Sequence, residues 1–329
     1  MEPQKEPQSS LTNTSTLVDD EIDLVELFKA LWGGKWIIIA ITFIFAVGSV
    51  IYALSLPNIY KSDALLSPTE RSNGGGLSNM ASQLGGLAAL AGVNIGAGES
   101  SQTELAVQVM KSRRFVDTFI EKHNLLVPLV AVNGWDLTND KLLFDEDLYD
   151  VNEDKWLREP DGLRGAKPTA QEAYEVFMKD VFDVSQDKES GLYTVSIKYY
   201  SPHVAKRWVD WLIEDINKVM RERTIAETSQ NLAYLNSQLQ KTAVADMQST
   251  FYKLIEEQTK SLMLAEVQEE FIFKTVDPAI VSEVKNGPNR AMICVLGTLL
   301  GGVLSIVMVL VRFALKRESE LGTQKEAAL

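Results

Sequence analysis

The sequence is poor in the residues that build metal, redox and nucleophilic sites. It has one cysteine and two histidines, His123 and His203, in 329 residues. A single cysteine excludes a disulfide framework and any CxxC redox or zinc motif, and two histidines exclude a multi-histidine metal site. The chain also has no GxxxxGK[ST] phosphate loop. We therefore expect no bound cofactor and no ATPase or kinase activity.

Positive charge is also scarce. The 32 lysines and arginines are outnumbered by 45 aspartates and glutamates, which gives a net charge of −13. An acidic chain repels the phosphate backbone of nucleic acids, so DNA or RNA is not expected as a partner. The length is sufficient for about two domains with a sizeable core.

Two uncharged apolar runs of 21 residues, at 36–56 and 291–311, are long enough to cross a membrane. About 20 apolar residues in a helix cover the hydrocarbon core of a bilayer. A core helix of this length in a soluble protein would have a polar face, which neither run has. The first run follows an acid-rich segment and is longer than a signal-peptide core, so we interpret it as an uncleaved anchor.

Basic residues flank both runs on the side of the chain ends. They are Lys29, Lys35, Arg312, Lys316 and Arg317. Because lysine and arginine are enriched at cytoplasmic flanks, both termini are predicted in the cytoplasm. The segment 57–290 is then on the other side, which in a bacterium is the periplasm.

The two predicted cytoplasmic tails are short. The first, 1–35, begins with a polar stretch typical of disorder. It continues into an amphipathic helix at 20–32, with Asp20 as a plausible N-cap, which we expect at the membrane surface. The second tail is 312–329.

The predicted fold class is α+β. Two transmembrane helices flank a periplasmic α/β base domain, formed by about 57–200 and 271–290, with a long protruding helical extension at about 201–270. Within the base, the sequence predicts strands at 59–66 and 271–276 and helices at 103–124 and 169–179, the latter opened by the capping pair Thr169 and Glu172. A hairpin is predicted from 181–185 and 192–199.

Two biased segments of the base leave alternatives open. The glycine-rich stretch 71–101 could be a flexible excursion, a loop lining the cavity of an oligomer, or a segment that touches lipid. The segment 136–161 holds ten acidic residues with Trp135 and Trp156 beside or within it. It is interpreted as a solvated loop anchored by these tryptophans; a calcium site or a sugar contact is the alternative, although the EF-hand spacing is absent.

The longest predicted element is a helix from Ser201 to about Thr242. Ser201 is a good N-cap, Pro202 suits the first helical position, and no glycine or further proline interrupts the run. Its strongly apolar first part can cover a sheet, whereas its second part has only a thin apolar stripe. The stripe contains Leu232, Leu235 and Leu239. With a returning helix at 245–270, the stripe predicts contacts with neighbouring copies, closed into a ring; ordinary packing of the leucines within the chain is the alternative.

Glycines and prolines mark the second apolar run and its approach. Gly297 and Gly301 form a GxxxG pair that is followed by Gly302, a pattern that lets membrane helices pack closely. Pro278 and Pro288 each block helix continuation and predict an extended neck between strand and span.

Both ends of the chain resemble one protein family. The N-terminal part of this resemblance is Asp20-Glu-Ile-Asp-Leu-Val-Glu-Leu-Phe-Lys-Ala-Leu-Trp32, entering the first span through Lys35-Trp36. The C-terminal part is Asp277-Pro278-Ala279, then Pro288-Asn289-Arg290 entering the glycine-containing span. These features resemble the Wzz-type polysaccharide chain-length determinants, or polysaccharide co-polymerases, of the class without a kinase domain.

The resemblance implies an inner-membrane homo-oligomer that forms a ring, for which eight subunits is our expectation. It also implies a non-catalytic role: setting the modal length of lipopolysaccharide O-antigen or a related glycan, with a separate Wzy-type polymerase performing glycosyl transfer. Partners would be the polymerase, the polysaccharide and membrane lipid. Two other hypotheses are weaker: a sugar-processing enzyme using carboxylates of the acidic segment, and a structural adaptor of an envelope export complex.

Overall fold

The computed structural model describes residues 24–69, 98–242 and 244–327, with side chains over 29–69, 102–242 and 244–315. Asp20 and most of the glycine-rich stretch, up to 97, lie outside the described residues, so the predictions made for them stay predictions. The chain divides into two units. One contains both ends of the chain, up to Ser55 and from Asn289 onward, and the other is Leu56–Pro288.

Helices and strands are mixed, which confirms the α+β class. The helices are α1 Leu24–Gly33, α2 Lys35–Ser55, α3 Gly98–Lys111, α4 Arg113–Lys122, α5 Leu126–Val130, α6 Ala170–Val176, α7 Pro202–Lys241, α8 Ala245–Val267 and α9 Arg290–Ala327. The strands are β1 Ile59–Pro68, β2 Val132–Asp136, β3 Lys141–Phe144, β4 Tyr149–Asp150, β5 Lys155–Trp156, β6 Phe182–Gln186, β7 Tyr193–Tyr199, β8 Phe273–Asp277 and β9 Lys285–Gly287.

An antiparallel sheet with the order β6-β7-β1-β8 forms the base of the second unit, and β9 also pairs with β1. The predicted β6–β7 hairpin is present, with Val184 opposite Val195. Its turn is held by Asp187, whose carboxylate accepts hydrogen bonds from the Glu189 backbone N–H and the Ser190 hydroxyl. Gly191 then takes a left-handed backbone conformation with φ of 72°, which costs glycine little.

The core lies between the sheet and helices of the base. Leu66 and Ile197 of the central strands are fully buried, as are Phe119 of α4 and Phe177 at the end of α6. Trp208 of α7 is buried against the same cluster. The apolar residues of one face of each element therefore meet in a single core, as their spacing predicts.

Three elements differ from the predictions. The helix predicted at 103–124 is two helices that meet at Ser112, because the Ser112 hydroxyl caps α4 by accepting a hydrogen bond from the Phe115 N–H. The helix predicted at 169–179 is capped by Thr169 as expected, but it changes to a π-turn at Phe177–Val181. The acidic segment, predicted as a loop, contains the β4–β5 hairpin and part of the β2–β3 hairpin.

Candidate functional site: the paired spans and the helical hairpin

α2 and the part of α9 at Arg290–Leu315 are long and apolar enough to cross a membrane. They pack on each other within the first unit. Near Ser55, Ser49 of α2 meets Gly297; near the start of α2, Gly34 meets Val309. From the first contact to the second, the residue number falls along α2 and rises along α9. The two spans are therefore antiparallel. Most of their other apolar side chains are exposed, as expected for helices that face lipid.

The predicted packing glycines have different surroundings. A Cβ atom added at Gly297 would lie 2.5 Å from the Ser49 Cβ, and one at Gly301 would collide with the Phe45 ring and its Cβ. At Gly302 the nearest such contact is the Thr42 hydroxyl at 4.0 Å, so a methyl group fits there. Gly297 and Gly301 therefore allow the close approach of the chain's own two spans, whereas Gly302 has room.

Gly34 makes a contact between the two spans that was not predicted from the sequence. A Cβ atom there would lie 2.5 Å from Cγ1 of Val309, which is itself buried. The sequence signal for this contact was the Gly33–Gly34 pair, which precedes Lys35 and the first apolar run. No periodic pattern distinguished these two glycines. Two serine hydroxyls of the spans bond within their own helices, since Ser49 donates to the Ala46 carbonyl and Ser305 to the Gly302 carbonyl. The buried Thr42 hydroxyl has no hydrogen-bond partner among the described residues.

The segment between the two predicted neck prolines is attached to the sheet at two places. Pro278 follows directly after the end of β8. Beyond it, the Ile280 carbonyl accepts a hydrogen bond of 2.8 Å from the Ser62 hydroxyl, and β9 pairs with the beginning of β1 just before Pro288. This segment of the chain is therefore held by β1 between the two prolines.

The predicted wall leucines lie on the second half of α7. Leu232, Leu235 and Leu239 are half-buried, and α8 is the described element that packs along this part of the helix. Hydrogen bonds close both ends of the α7–α8 hairpin: Gln248 donates to the Thr242 carbonyl, and Arg221 donates to the Gln268 carbonyl. The leucines thus have partners within the chain, and their contact with other copies remains a prediction.

The larger exposed apolar surface of the hairpin is on α8. Met263, Leu264 and Val267 are 62%, 45% and 81% exposed, and with Glu256 and Lys260 they line an open groove of about 550 Å³. Contiguous exposed apolar side chains on a soluble surface mark interaction sites. This face was not singled out from the sequence because α8 has no regular apolar stripe.

A buried asparagine joins α7 to the returning strand. The Asn217 side chain is 4% exposed; its amide nitrogen donates to the Phe273 carbonyl, and its oxygen accepts from the backbone N–H groups of Ile272 and Phe273. This side chain therefore satisfies three backbone groups at the point where the chain re-enters the sheet.

One histidine of the chain belongs to a packing cluster. His123 Nε2 lies 2.9 Å from Oδ2 of the buried Asp215, which also pairs with Lys122. The imidazole stacks on Trp211 at a centroid distance of 4.2 Å. Among the described residues, no three histidine, cysteine or carboxylate side chains come together as a metal site.

The tryptophans of the acidic segment contact the base. Trp135 donates to the Asp140 carboxylate and packs edge-on against Tyr60, while Trp156 lies 5.1 Å from the Tyr149 ring. The contact of Trp135 with Tyr60 of β1 agrees with the predicted anchoring role, whereas the Tyr149 ring beside Trp156 belongs to the acidic segment itself.

Glu172 and Tyr199 are among the groups of the base whose pKa values are shifted. A hydrogen bond from Arg158 lowers the pKa of Glu172 against the opposing effect of burial, and Arg164 adds to the lowering. Burial raises the pKa of Tyr199, whose hydroxyl donates to the Pro128 carbonyl.

Comparison with known families identifies the N-terminal part of the chain. Residues 20–123, which include α1, α2, β1, α3 and α4, match the sequence profile of the family described as "Wzz: Chain length determinant protein". The chain carries a Wzz domain. The resemblance to Wzz-type polysaccharide co-polymerases is thereby confirmed.

Two solved structures are similar to the chain. The first is a "full-length bacterial polysaccharide co-polymerase" with 13% sequence identity and a TM-score of 0.37. The alignment covers 90% of this chain and 99% of the chain in that structure. A fragment of WzzB, a polysaccharide co-polymerase from Salmonella Typhimurium, is 11% identical, covers 70% of this chain and 99% of its own, and has a TM-score of 0.27. A comparison with curated protein sequences gave no match.

Proposed function

We propose that this protein is a non-catalytic regulator that sets the modal chain length of lipopolysaccharide O-antigen or a related surface glycan. The observation that carries the proposal is the Wzz domain at residues 20–123, which includes the first span and the beginning of the base. The protein would act with a Wzy-type polymerase that forms the glycosidic bonds.

The proposed location is the bacterial inner membrane, with residues 57–290 in the periplasm and both termini in the cytoplasm. Two observations support it. α2 and α9 have the length and hydropathy of membrane spans. Lys29, Lys35 and Arg312 flank them at one end, which is the pattern of a cytoplasmic face.

The proposed assembly is a ring of identical chains, with eight as the expected number. The α8 face containing Met263, Leu264 and Val267 supports self-association, because it exposes apolar side chains that a second copy could cover. Single-particle imaging of the detergent-extracted full-length protein measures the assembly. A closed ring is expected; a well-behaved monomer would contradict the assembly.

The function is tested by deleting the gene in its own host and resolving the glycan by length on a gel. We expect polymer to persist while its length distribution loses its modal peak, because the polymerase is a separate protein. The wild-type gene should restore the peak. Complete loss of polymer would contradict the regulator, and co-purification with an ATP-driven transporter instead of a polymerase would favour the export adaptor.

The glycines of α9 provide a matched test of whether the span pair takes part in this function. Gly301→Leu should shift the modal length, because its side chain collides with Phe45 and separates the spans. Gly302→Ala is the control, since its Cβ has room. The protein level of each variant is measured alongside the gel. An unchanged ladder from well-expressed Gly301→Leu protein would contradict a role for this contact.

A further inference from the structure

One end of the span pair carries a cation on each of the two helices, with tryptophans beside the cation of α2. The contact of Gly34 with Val309 places the start of α2 directly against α9. Lys35 follows Gly34 in the chain. Because the spans are antiparallel, Lys35 lies about 1.5 Å from this contact in one direction, and Arg312, three residues beyond Val309, lies about 4.5 Å from it in the other direction and on the same side of α9.

Tryptophans flank Lys35. The Lys35 ammonium lies 5.1 Å from the centre of the Trp32 ring, a cation–π contact. Trp32 and Trp36 are 65% and 74% exposed, and Lys35 and Arg312 are exposed as well. We call these four residues the basic-aromatic end.

Among the described side chains, no carboxylate forms an ion pair with Lys35 or Arg312. The ion pairs between described side chains all lie in the other unit. On the side of the apolar runs, Ile39 of α2 and Met308 of α9 are exposed one turn away from the two cations. A ligand that fits this combination is anionic at one end and apolar along the rest of its length.

We propose that the basic-aromatic end binds an anionic phospholipid, with its headgroup phosphate between Lys35 of α2 and Arg312 of α9. Indole rings favour the headgroup depth of a bilayer, and basic side chains beside membrane helices attract anionic lipids. The acyl chains would lie along the apolar surface of the spans. Because the two cations come from different helices, one bound headgroup would link the spans. The inference goes beyond the proposed function and depends only on the spans lying in a membrane.

The test uses the purified full-length protein in a neutral detergent, with bound lipid counted by native mass spectrometry. Phosphatidylglycerol and phosphatidylcholine are added at equal concentrations, since they differ in headgroup charge. We compare the wild type with Lys35→Gln/Arg312→Gln and with a control of equal charge change at exposed lysines of the other unit, Lys188→Gln/Lys253→Gln.

The wild type and the control should prefer phosphatidylglycerol, and Lys35→Gln/Arg312→Gln should bind it about 30-fold more weakly, the effect expected from two lost cations near anionic headgroups. Equal binding of both lipids by the wild type, or an unchanged affinity in this variant, would overturn the proposal.

Inorganic phosphate distinguishes a lipid site from a general anion site. It should not compete with phosphatidylglycerol at millimolar concentration, because it lacks the acyl chains; effective competition would overturn the assignment to lipid. Lys35→Arg/Arg312→Lys keeps both charges and should retain the preference. If the glutamine variant does not fold, the wild-type preference and the charge-retaining variant decide the proposal.

Discussion

The two halves of α7 are one continuous helix in two different environments. In the first half, Trp208, Leu212 and Ile216 are 2%, 0% and 0% exposed and belong to the core of the base. In the second half, Leu235 and its neighbouring leucines are only half-buried, and α8 packs along the helix. The same backbone geometry is thus stabilised by a core at one end and by a single antiparallel helix at the other.

The two halves of α7 therefore differ in whether their side chains stabilise the fold of one chain or are available for contacts between chains. Helices are marginal in water unless tertiary contacts stabilise them. The first half of α7 obtains those contacts from the sheet, whereas the second half obtains fewer and belongs to a hairpin that exposes Met263 and Val267. Mutations in the first half should therefore act mainly on the stability of the chain, and mutations in the hairpin mainly on contacts between chains.

The largest expected effect comes from truncating the core tryptophan. Trp208→Ala should lower the free energy of unfolding by about 3–5 kcal/mol, because it removes a large buried side chain and leaves a cavity. Leu235→Ala, in the second half, should cost about 1 kcal/mol, since its side chain is already half exposed. Thermal unfolding of the detergent-solubilised full-length protein measures both. Similar losses in the two variants would show that the halves are stabilised equally.

Asparagines in each half provide a second matched pair. Asn217→Ala should cost about 2–3 kcal/mol, because it leaves the Ile272 and Phe273 backbone groups buried without their partner. Asn236 makes one exposed bond to the Leu232 carbonyl, so Asn236→Ala should change stability by less than about 0.5 kcal/mol. Urea unfolding of both variants distinguishes them. A loss at Asn236 as large as that at Asn217 would contradict the comparison.

Much of α7 could be predicted from the sequence because its signals are local. Ser201 and Pro202 fixed its start, and the apolar spacing through Trp208 predicted the half that covers the sheet. Asn217 could not be predicted, since the strand that it binds is 55 residues further along the chain. The break at Ser112 was missed because a serine within an apolar periodic stretch is compatible with both a helix interior and a cap.

The sequence predicted the type of contact at the candidate site, close helix packing, but not the residues that the glycines contact. The GxxxG spacing of Gly297 and Gly301 indicated close helix packing, but a spacing does not say which helix approaches. Ser49 and Phe45 lie in an apolar run without a distinguishing pattern, and Gly34 precedes it. The leucine stripe similarly indicated helix–helix contact, and a returning helix was predicted at 245–270, but the spacing does not say whether the leucines meet that helix or a second copy.

The smallest expected effect concerns ion pairs in the two regions, and it depends on pH. In the base, Glu172 is 9% exposed and accepts a 2.6 Å bond from Arg158, which lowers its pKa from the ordinary value of 4.5. On the second half of α7, Arg223 and Glu227 form an exposed pair at 2.8 Å. Such exposed pairs contribute about 0.3–0.5 kcal/mol.

Because the pKa of Glu172 is lower in the folded state, its carboxylate stabilises the fold above pH 4.5, and this contribution is lost as the pH falls through the folded-state pKa. Glu172→Gln should therefore lower the unfolding temperature at pH 7 and flatten its decline as the pH falls below 4.5. Glu227→Gln should leave both nearly unchanged, because solvent already screens its pair. An acid decline that stays as steep in Glu172→Gln as in the wild type would mean that other carboxylates of the base carry the pH dependence.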